Sequence, residues 1–223
     1  LVAAGPPRQG RRPPGRKRDG TPPQPCCGVA QRRLLALRAQ RDQGPASGYR
    51  MVGHYRHYAG PSLSWLLLMA VDALTSSLAA LQDVLDCMPA VRAMQIRLDG
   101  YADGVLRITA PLVANVNDKG NAFGGSLASV LTLSGWALVS LRLRLAGHDA
   151  EVYVADSNLR YLAPVYEDLH AHAEAAGSGA WETFLATFRQ RGKARISIVA
   201  TQPGADGKAA AEFSGRFVAF AKG

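Results

Sequence analysis

The run from Asn115 to Leu145 constrains the fold more than any other part of this chain. It opens with four residues that favour turns, Asn117, Asp118, Gly120 and Asn121. It then passes through Gly124 and Gly125 and continues to its end without a proline. Because nearly every face of such a helix would be apolar, the pattern predicts a helix that is buried on all sides. Strand-like segments on both sides of it predict an α+β fold in which a sheet wraps around this helix.

The rest of the folded part combines amphipathic helices with short strands. Apolar residues at three- and four-residue steps predict a helix over Val71–Cys87, which Pro89 ends. A turn is predicted over Asp99–Gly104 and a kink over Asp156–Asn158. The further predicted strands, with one helix at 180–190, are 94–98, 105–112, 151–155, 159–165, 168–175, 193–201 and 209–220. With so few connecting helices, the pattern favours a mostly antiparallel sheet over a doubly wound parallel one.

The charge is distributed unevenly and divides the chain into two parts. Of the 26 Lys/Arg and 17 Asp/Glu residues, residues 1–68 hold 12 and 2, whereas residues 69–223 hold 14 and 15. The first part is rich in Pro and Arg and lacks the apolar surface to offset its ordering entropy, which predicts a disordered extension or one foreign to the native protein. The alternative is an electrostatic arm, through residues 8–41, for nucleic acid or an anionic membrane. Residues 69–223 are predicted to form a folded domain that does not bind nucleic acid.

Cysteine and histidine patterns exclude several classes of site. Cys26, Cys27 and Cys87 form no C-x-x-C pair, so neither a disulfide framework nor a zinc site is predicted. His170 and His172 share one face of a predicted strand, but no third ligand accompanies them, and we expect no metal and no cofactor. Residues 1–20 do not resemble a secretory signal, and the apolar run 65–71 is too short to span a bilayer. We therefore expect a cytoplasmic protein without a membrane span.

Several motifs resemble one known family. The run Asn117-Asp-Lys-Gly-Asn-Ala-Phe-Gly-Gly-Ser-Leu127, followed by an apolar helix, resembles the signature loop of hotdog-fold thioesterases. Together with motifs at 135–136, 154–165, 192–196 and 213–219, it makes residues 72–221 similar to the YiiD C-terminal type of thioesterase domain. The resemblance implies a hotdog fold, with an antiparallel sheet wrapped around a long central helix. It also implies a homodimer or homotetramer that binds acyl-CoA or acyl-carrier-protein thioesters in a tunnel near the subunit interface.

Thioester hydrolysis needs an activated water and stabilisation of the oxyanion that forms. The amides of Gly124 and Gly125 suit the second task, because a helix start has free N–H groups and a favourable dipole potential. The other interpretation is that both glycines only allow close packing of the helix on the sheet. Asn117 is a candidate to orient water, and Asp118 to act as the base if burial raises its pKa. Both residues also fit ordinary roles in a turn.

At two positions the sequence departs from a pattern that related thioesterases often carry. They have His before the two glycines, where Phe123 stands, and an acid further along the helix, where Thr132 stands. Neither residue can act as a carboxylate base, but Thr132, together with Ser129, could position water. The other interpretation is that both residues only pack. The predicted substrate contacts are Phe123, Ser126, Ser129 and Arg160, the last through phosphates of CoA or of a carrier protein. The sequence therefore predicts an acyl thioesterase in fatty-acid metabolism, with a non-catalytic acyl-thioester binding domain as the alternative.

Overall fold

The computed structural model describes residues 63–222, so residues 1–62 of the predicted extension lie outside the described residues. The helices are α1 (Leu63–Asp86), α2 (Pro89–Ala93), α3 (Gly124–Leu145) and α4 (Ala180–Arg191). The strands are β1 (Arg97–Ala102), β2 (Val105–Ala110), β3 (Ala150–Tyr161), β4 (Leu169–Ala175), β5 (Lys193–Pro203) and β6 (Ala209–Ala221). A short 3-10 helix, Leu112–Ala114, follows β2. These elements include the central helix that the sequence predicts, and the predicted loop precedes it.

Within residues 63–222, six strands form one antiparallel sheet in the order β1-β2-β4-β5-β6-β3. Helix α3 lies against its inner face and contacts every strand from β2 to β6. Inward and outward residues alternate along the strands. In β5, for example, Ile196 and Ile198 are buried, and Arg195 and Ser197 are exposed. A sheet wrapped around one long helix confirms the predicted α+β class.

Helix α3 forms the centre of the core. Twelve of its 22 residues are buried, including Leu131, Leu138 and Leu141. A Cβ atom built on Gly135 would lie 2.6 Å from the Phe217 ring, so this glycine lets the helix approach β6 closely. The predicted burial on all sides is confirmed only in part, because a stripe through Ser129, Thr132 and Trp136 is partly exposed.

Strand β3 is one edge of the sheet and is longer than predicted. It runs from Ala150 to Tyr161 beside β6, so the two segments predicted on either side of Asp156–Asn158 form one strand. A bulge between Val154 and Asp156 takes up one extra residue at the start of the predicted kink, and a bulge of this kind bends its strand while pairing with β6 continues. Most side chains of β3 are exposed. Its outer edge pairs with no other strand in the described part of the chain.

Strands β1 and β2 form a tight hairpin whose turn is shorter than predicted. Strand β1 begins at Arg97, after α2, rather than at Met94. It continues through most of the predicted turn, so that only Asp103 and Gly104 connect the two strands. These residues have φ values of 53° and 82°, and positive φ at both positions is the geometry of a two-residue hairpin turn. The hairpin places β1 at the edge of the sheet opposite β3.

Helix α1 is also longer than predicted. It begins at Leu63 rather than at Val71, because the apolar residues before Val71 continue the same helix. Its second half packs on α3. By length and composition alone, two helices within residues 63–222 could cross a membrane, namely Leu67–Asp86 in α1 and the whole of α3. Of these two helices, α3 is the core helix. The apolar stretch in α1 is longer than the run 65–71, which the sequence analysis judged too short to span a bilayer.

Candidate active site

The loop before α3 is a closed hairpin that Asn117 holds together. Val116 and Ala122 form an antiparallel bridge across it, and the Asn117 N–H donates to the Asn121 carbonyl at 2.8 Å. The Asn117 side-chain oxygen accepts from the Lys119 N–H at 2.8 Å and from the Asn121 N–H at 3.3 Å. Its side-chain nitrogen donates to Asn121 Oδ1 at 2.7 Å. Asn117 therefore positions the start of α3, and its action on water stays a prediction.

Hydrogen bonds also attach this loop to the core. The Phe123 N–H donates to the Asn115 carbonyl at 2.7 Å, and the Ala122 N–H donates to the Val165 carbonyl at 2.8 Å. The buried Asn115 side chain donates to the Pro111 carbonyl at 2.8 Å. Because partners on both sides hold the loop, the backbone at the start of α3 has a defined position.

Asp118 lies on the exposed tip of the loop. Its side chain is 82% exposed, and the Lys119 ammonium lies 3.7 Å from its carboxylate. The sequence predicts Asp118 as a base only if burial raises its pKa. In one copy of the chain, the Asp118 carboxylate is not buried. Asp118 is therefore close to the candidate site along the chain, but its carboxylate is in contact with solvent.

The first turn of α3 carries backbone N–H groups without acceptors. Phe123 occupies the N-cap position in an extended conformation, and its side chain makes no capping hydrogen bond. Within residues 63–222, the N–H groups of Gly124, Gly125 and Ser126 have no hydrogen-bond acceptor, and the first turn contains no acidic residue. Free N–H groups and the positive end of the helix dipole make this the most favourable position for an anion in the loop region.

The ring of Phe123 covers one side of this helix start. A Cβ atom built on Gly125 would collide with the Phe123 ring, so the ring lies directly over the glycine. Phe123 is nevertheless 55% exposed. An apolar surface therefore borders the free amides on the solvent side, and the contact between Phe123 and a substrate stays a prediction.

Tyr161 is a site residue that the sequence analysis missed. It ends β3, and its hydroxyl donates to the Gly124 carbonyl at 2.9 Å. Its ring lies 3.6 Å from the position of a Cβ atom on Gly124. The motif 154–165 contains Tyr161, but only the alternation of faces along the strand indicates that it points toward α3 while Arg160 does not.

Three hydroxyl residues of α3 lie at increasing distance from the helix start. Ser126 is buried in the first turn. The Ser129 hydroxyl donates to the Gly125 carbonyl at 2.9 Å, so it is already engaged within the helix. Thr132 follows Gly125 by about 10 Å along the helix axis, given a rise of 1.5 Å per residue. Thr132 is therefore too distant to touch a group bound at the first turn of the same copy.

Arg160 lies on the opposite face of the sheet from α3. It pairs with Glu212 of β6 at 2.9 Å, and both side chains are largely exposed. On the same outer face, Arg216 forms a hydrogen-bonded ion pair with Asp156 and holds the pKa of that carboxyl below its usual range. The structure does not bring Arg160 together with the glycines, and its contact with substrate phosphates stays a prediction.

Histidines on β4 also lie on the outer face. Partial burial and the nearby Arg107 guanidinium lower the pKa of His172, which favours its neutral form. No group of three His, Cys, Asp or Glu side chains that could hold a metal ion occurs among the described residues.

A pocket of mixed polarity lies at the other end of β3. It has a volume of about 280 Å³ between α1, the second half of α3 and the start of β3. Its lining combines apolar side chains such as Val84 and Trp136 with charged ones such as Arg144 and Asp149. The Trp136 indole N–H donates to the Val152 carbonyl at 3.1 Å. Strand β3 runs from this pocket to Tyr161, which contacts the start of α3. The pocket and the free amides therefore lie at opposite ends of the contact between α3 and β3.

Known proteins share this architecture. Residues 78–221 match the family described as "Putative thioesterase (yiiD_Cterm)". A protein of unknown function from Chlorobaculum tepidum TLS is 28% identical, with a TM-score of 0.60 over 66% of this chain and 99% of that chain. The putative thioesterase from Shewanella oneidensis is 29% identical, with a TM-score of 0.57 over 67% of this chain and 99% of that chain.

A thioesterase from Haemophilus influenzae is more distant. It is 17% identical, with a TM-score of 0.51 over 65% of this chain and 90% of that chain, so it supports the fold alone. Together with the six-stranded sheet around α3, these similarities confirm the predicted hotdog fold.

Proposed function

Because this chain belongs to the YiiD C-terminal family of thioesterases, we propose that it hydrolyses acyl-CoA or acyl-carrier-protein thioesters. The observation that carries this proposal is the start of α3, where Gly124, Gly125 and Ser126 present N–H groups without acceptors among the described residues. A helix start of this kind binds negative charge. Fatty-acid metabolism is the proposed context of the reaction, and the cytoplasm is its proposed location.

In the proposed reaction a water oxygen attacks the carbonyl carbon of the thioester. The carbonyl oxygen becomes an oxyanion, to which the amides of Gly124 and Gly125 donate hydrogen bonds. The C–S bond then breaks, and the thiolate takes up one of the two protons of the attacking water, which leaves a carboxylic acid and a free thiol. For the substrate carbonyl to approach these amides closely, the exposed Phe123 ring that lies over Gly125 turns aside toward solvent.

The acyl chain is proposed to lie along α3 beside β3. At one end, the exposed ring of Phe123 borders the free amides. At the other end, the pocket of about 280 Å³ offers apolar side chains such as Val84 and Trp136. Apolar side chains at both ends suit a hydrocarbon chain, because burial of each CH₂ group contributes about 0.8 kcal/mol.

The oligomer is proposed to form through the outer edge of β3, as a homodimer or as a homotetramer of two dimers. This edge pairs with no strand in the described residues, and Tyr153, Val154 and Tyr161 expose apolar surface along it. Unpaired, apolar strand edges favour pairing with another strand. Because Tyr161 contacts Gly124, a second copy at this edge would lie beside the proposed oxyanion site and enclose it.

One observation favours a second candidate function, the binding of acyl thioesters without hydrolysis. Within residues 63–222, no carboxylate or imidazole forms a hydrogen bond with the first turn of α3, and Asp118 is exposed to solvent. A thioesterase needs a group that activates water, whereas a binding domain does not. The two functions differ in one measurable property, which is turnover.

The experiment compares Gly124→Pro with Gly124→Ala in the hydrolysis of acyl-CoA and acyl-carrier-protein substrates of several chain lengths, followed by thiol release. Proline removes the N–H group but suits the first position of a helix, and Phe123 has the extended ψ of 128° that a following proline requires. Alanine keeps the N–H group, and its Cβ atom would make an ordinary 3.6 Å contact with Tyr161. We expect kcat to be roughly 10²–10³ lower for proline than for alanine.

Equal rates for the two variants would exclude the Gly124 amide as an oxyanion donor. If the unchanged protein releases no thiol from any of these substrates but binds a non-hydrolysable acyl-CoA thioether, the chain is an acyl-thioester binding domain. The thioester itself then remains intact after prolonged incubation.

A further inference from the structure

The hydroxyl group of Tyr161 reaches the candidate site from the end of β3. It donates to the Gly124 carbonyl at 2.9 Å, and the hydroxyl oxygen lies 3.6 Å from the position of a Cβ atom on Gly124. Tyr161 is nevertheless 54% exposed. The residue therefore contacts both the first turn of α3 and the surrounding water.

The hydrogen bond to Gly124 determines what else this hydroxyl can do. A tyrosine hydroxyl has one hydrogen to donate and also accepts hydrogen bonds through its oxygen. Because its hydrogen is donated to the Gly124 carbonyl, the hydroxyl acts toward a nearby water only as an acceptor. A water that donates one hydrogen to Tyr161 keeps its own lone pairs free, and one of them can attack a carbonyl carbon.

The distances allow one water to contact both Tyr161 and a thioester. The hydroxyl oxygen lies 3.6 Å from the Cβ position of Gly124, and two covalent bonds lead from there to the Gly124 nitrogen, so the hydroxyl lies within about 6 Å of that nitrogen. An oxyanion accepts from an N–H group at about 2.9 Å, and an attacking atom stands about 3 Å from the carbonyl carbon. Within this span, a water between the hydroxyl and the carbonyl carbon meets both distances.

Other polar side chains near the first turn suit this task less well. Asn117 forms its hydrogen bonds inside the loop, and Asp118 is exposed at the tip of the loop. The Ser129 hydroxyl also donates to a helix carbonyl at 2.9 Å, but that carbonyl belongs to Gly125. Tyr161 therefore lies one residue nearer to the end of α3 at which the N–H groups are free.

We propose that Tyr161 positions the water that attacks the thioester, through a hydrogen bond that its hydroxyl oxygen accepts. This inference rests on the proposed thioesterase function and adds to it the residue that directs the nucleophile. The water oxygen forms the new bond to the carbonyl carbon, the C–S bond breaks, and one water proton passes to the departing sulfur. Tyr161 keeps its own proton throughout, since that proton stays in the hydrogen bond to Gly124.

The first test compares two variants of the full chain that each remove one tyrosine hydroxyl bonded to α3. Tyr161→Phe removes the hydroxyl at the start of the helix and keeps the ring. Tyr101→Phe is the control, because the Tyr101 hydroxyl accepts from Arg142 at 3.1 Å near the other end of α3. In thiol release from acyl-CoA and acyl-carrier-protein substrates, we expect kcat to fall roughly 10²-fold in Tyr161→Phe, with KM little changed. Tyr101→Phe is expected to keep the kcat of the unchanged protein, and circular dichroism checks that both variants fold.

A second measurement separates the position of the water from the position of the helix start. In an acyl-CoA analogue with a CH₂ group in place of the thioester sulfur, the carbonyl oxygen remains, but the analogue cannot be hydrolysed. Its carbonyl accepts from the N–H groups at the start of α3 without the help of an attacking water. We therefore expect Tyr161→Phe and the unchanged protein to bind the analogue with equal dissociation constants. Weaker binding by Tyr161→Phe would mean that Tyr161 only holds Gly124 in place, which would overturn the proposal.

Three further results would overturn the role of Tyr161. An equal kcat in Tyr161→Phe and the unchanged protein would show that this hydroxyl does not act on the water, while the proposed thioesterase function would stand. A larger loss of kcat in Ser129→Ala than in Tyr161→Phe would assign the water to Ser129. An absence of thiol release by the unchanged protein from every substrate would overturn the proposed function, and the role of Tyr161 with it.

Discussion

Two glycines of α3 face phenylalanine rings and differ in the surroundings of those rings. A Cβ atom on Gly125 would collide with Phe123, and one on Gly135 would lie 2.6 Å from Phe217. Phe123 is 55% exposed and can turn toward solvent, whereas Phe217 is fully buried. The same substitution therefore has a different cost at the two positions.

We expect Gly135→Ala to lower the free energy of unfolding by about 1–3 kcal/mol, because the buried ring of Phe217 has no space into which to move. Gly125→Ala is expected to change it by no more than about 0.5 kcal/mol, since Phe123 can move aside. Urea denaturation of both variants measures the difference. Similar losses in the two would show that exposure of the ring does not decide the cost.

The sequence predicted the residues of the site better than their contacts. The glycines, Phe123 and Asn117 all lie at the start of α3, as expected from one continuous motif. The sequence did not show that Tyr161 would join them, or that Arg160 would point to the opposite face. Both outcomes depend on how a strand more than thirty residues away aligns with the helix.

For helices and strands, too, the local sequence predicted some bounds, whereas pairing with distant residues decided others. The predicted bounds of α4 agree with the structure to within one residue, and α3 ends at Leu145, where the predicted apolar run ends. The two segments predicted on either side of Asp156–Asn158 form one strand, because pairing with β6 continues through these turn-forming residues beside a bulge. Local turn preference decides a structure only where no neighbouring strand competes with it.

Helix α1 offers a matched test of anchored and exposed turns. Leu85 is fully buried, and Leu68 is 56% exposed. We expect Leu85→Ala to cost about 2–5 kcal/mol of the free energy of unfolding and Leu68→Ala no more than about 0.5 kcal/mol. Thermal and urea denaturation measure the loss of stability in both variants. A large loss in Leu68→Ala would mean that the first half of α1 is packed in solution.

The assembly of the whole molecule is predicted to depend on the free edge of β3. Val154 is 43% exposed on this strand. If two copies pair there, Val154→Glu places a negative charge in the interface of each copy, and we expect the dissociation constant of the oligomer to rise about ten-fold or more. Sedimentation velocity measures the mass of the protein in solution.

Val113→Glu is the control for this measurement, because it adds the same charge to an exposed valine away from β3. An unchanged mass in Val154→Glu, or an equal change in both variants, would contradict an interface at β3. Loss of thiol release together with loss of mass in Val154→Glu would in addition support a site that a second copy completes.

The sequence by itself determined the α+β class, the buried helix over 124–145, the separation of charge along the chain and the membership of a family. These properties follow from periodicity, turn residues and composition, all of which depend on residues that are close together in the chain. Only the tertiary structure decided that Asn117 holds the loop, that Tyr161 meets Gly124 and that half of α1 is uncovered. These properties depend on packing and pairing between residues far apart in the chain, which no local pattern encodes.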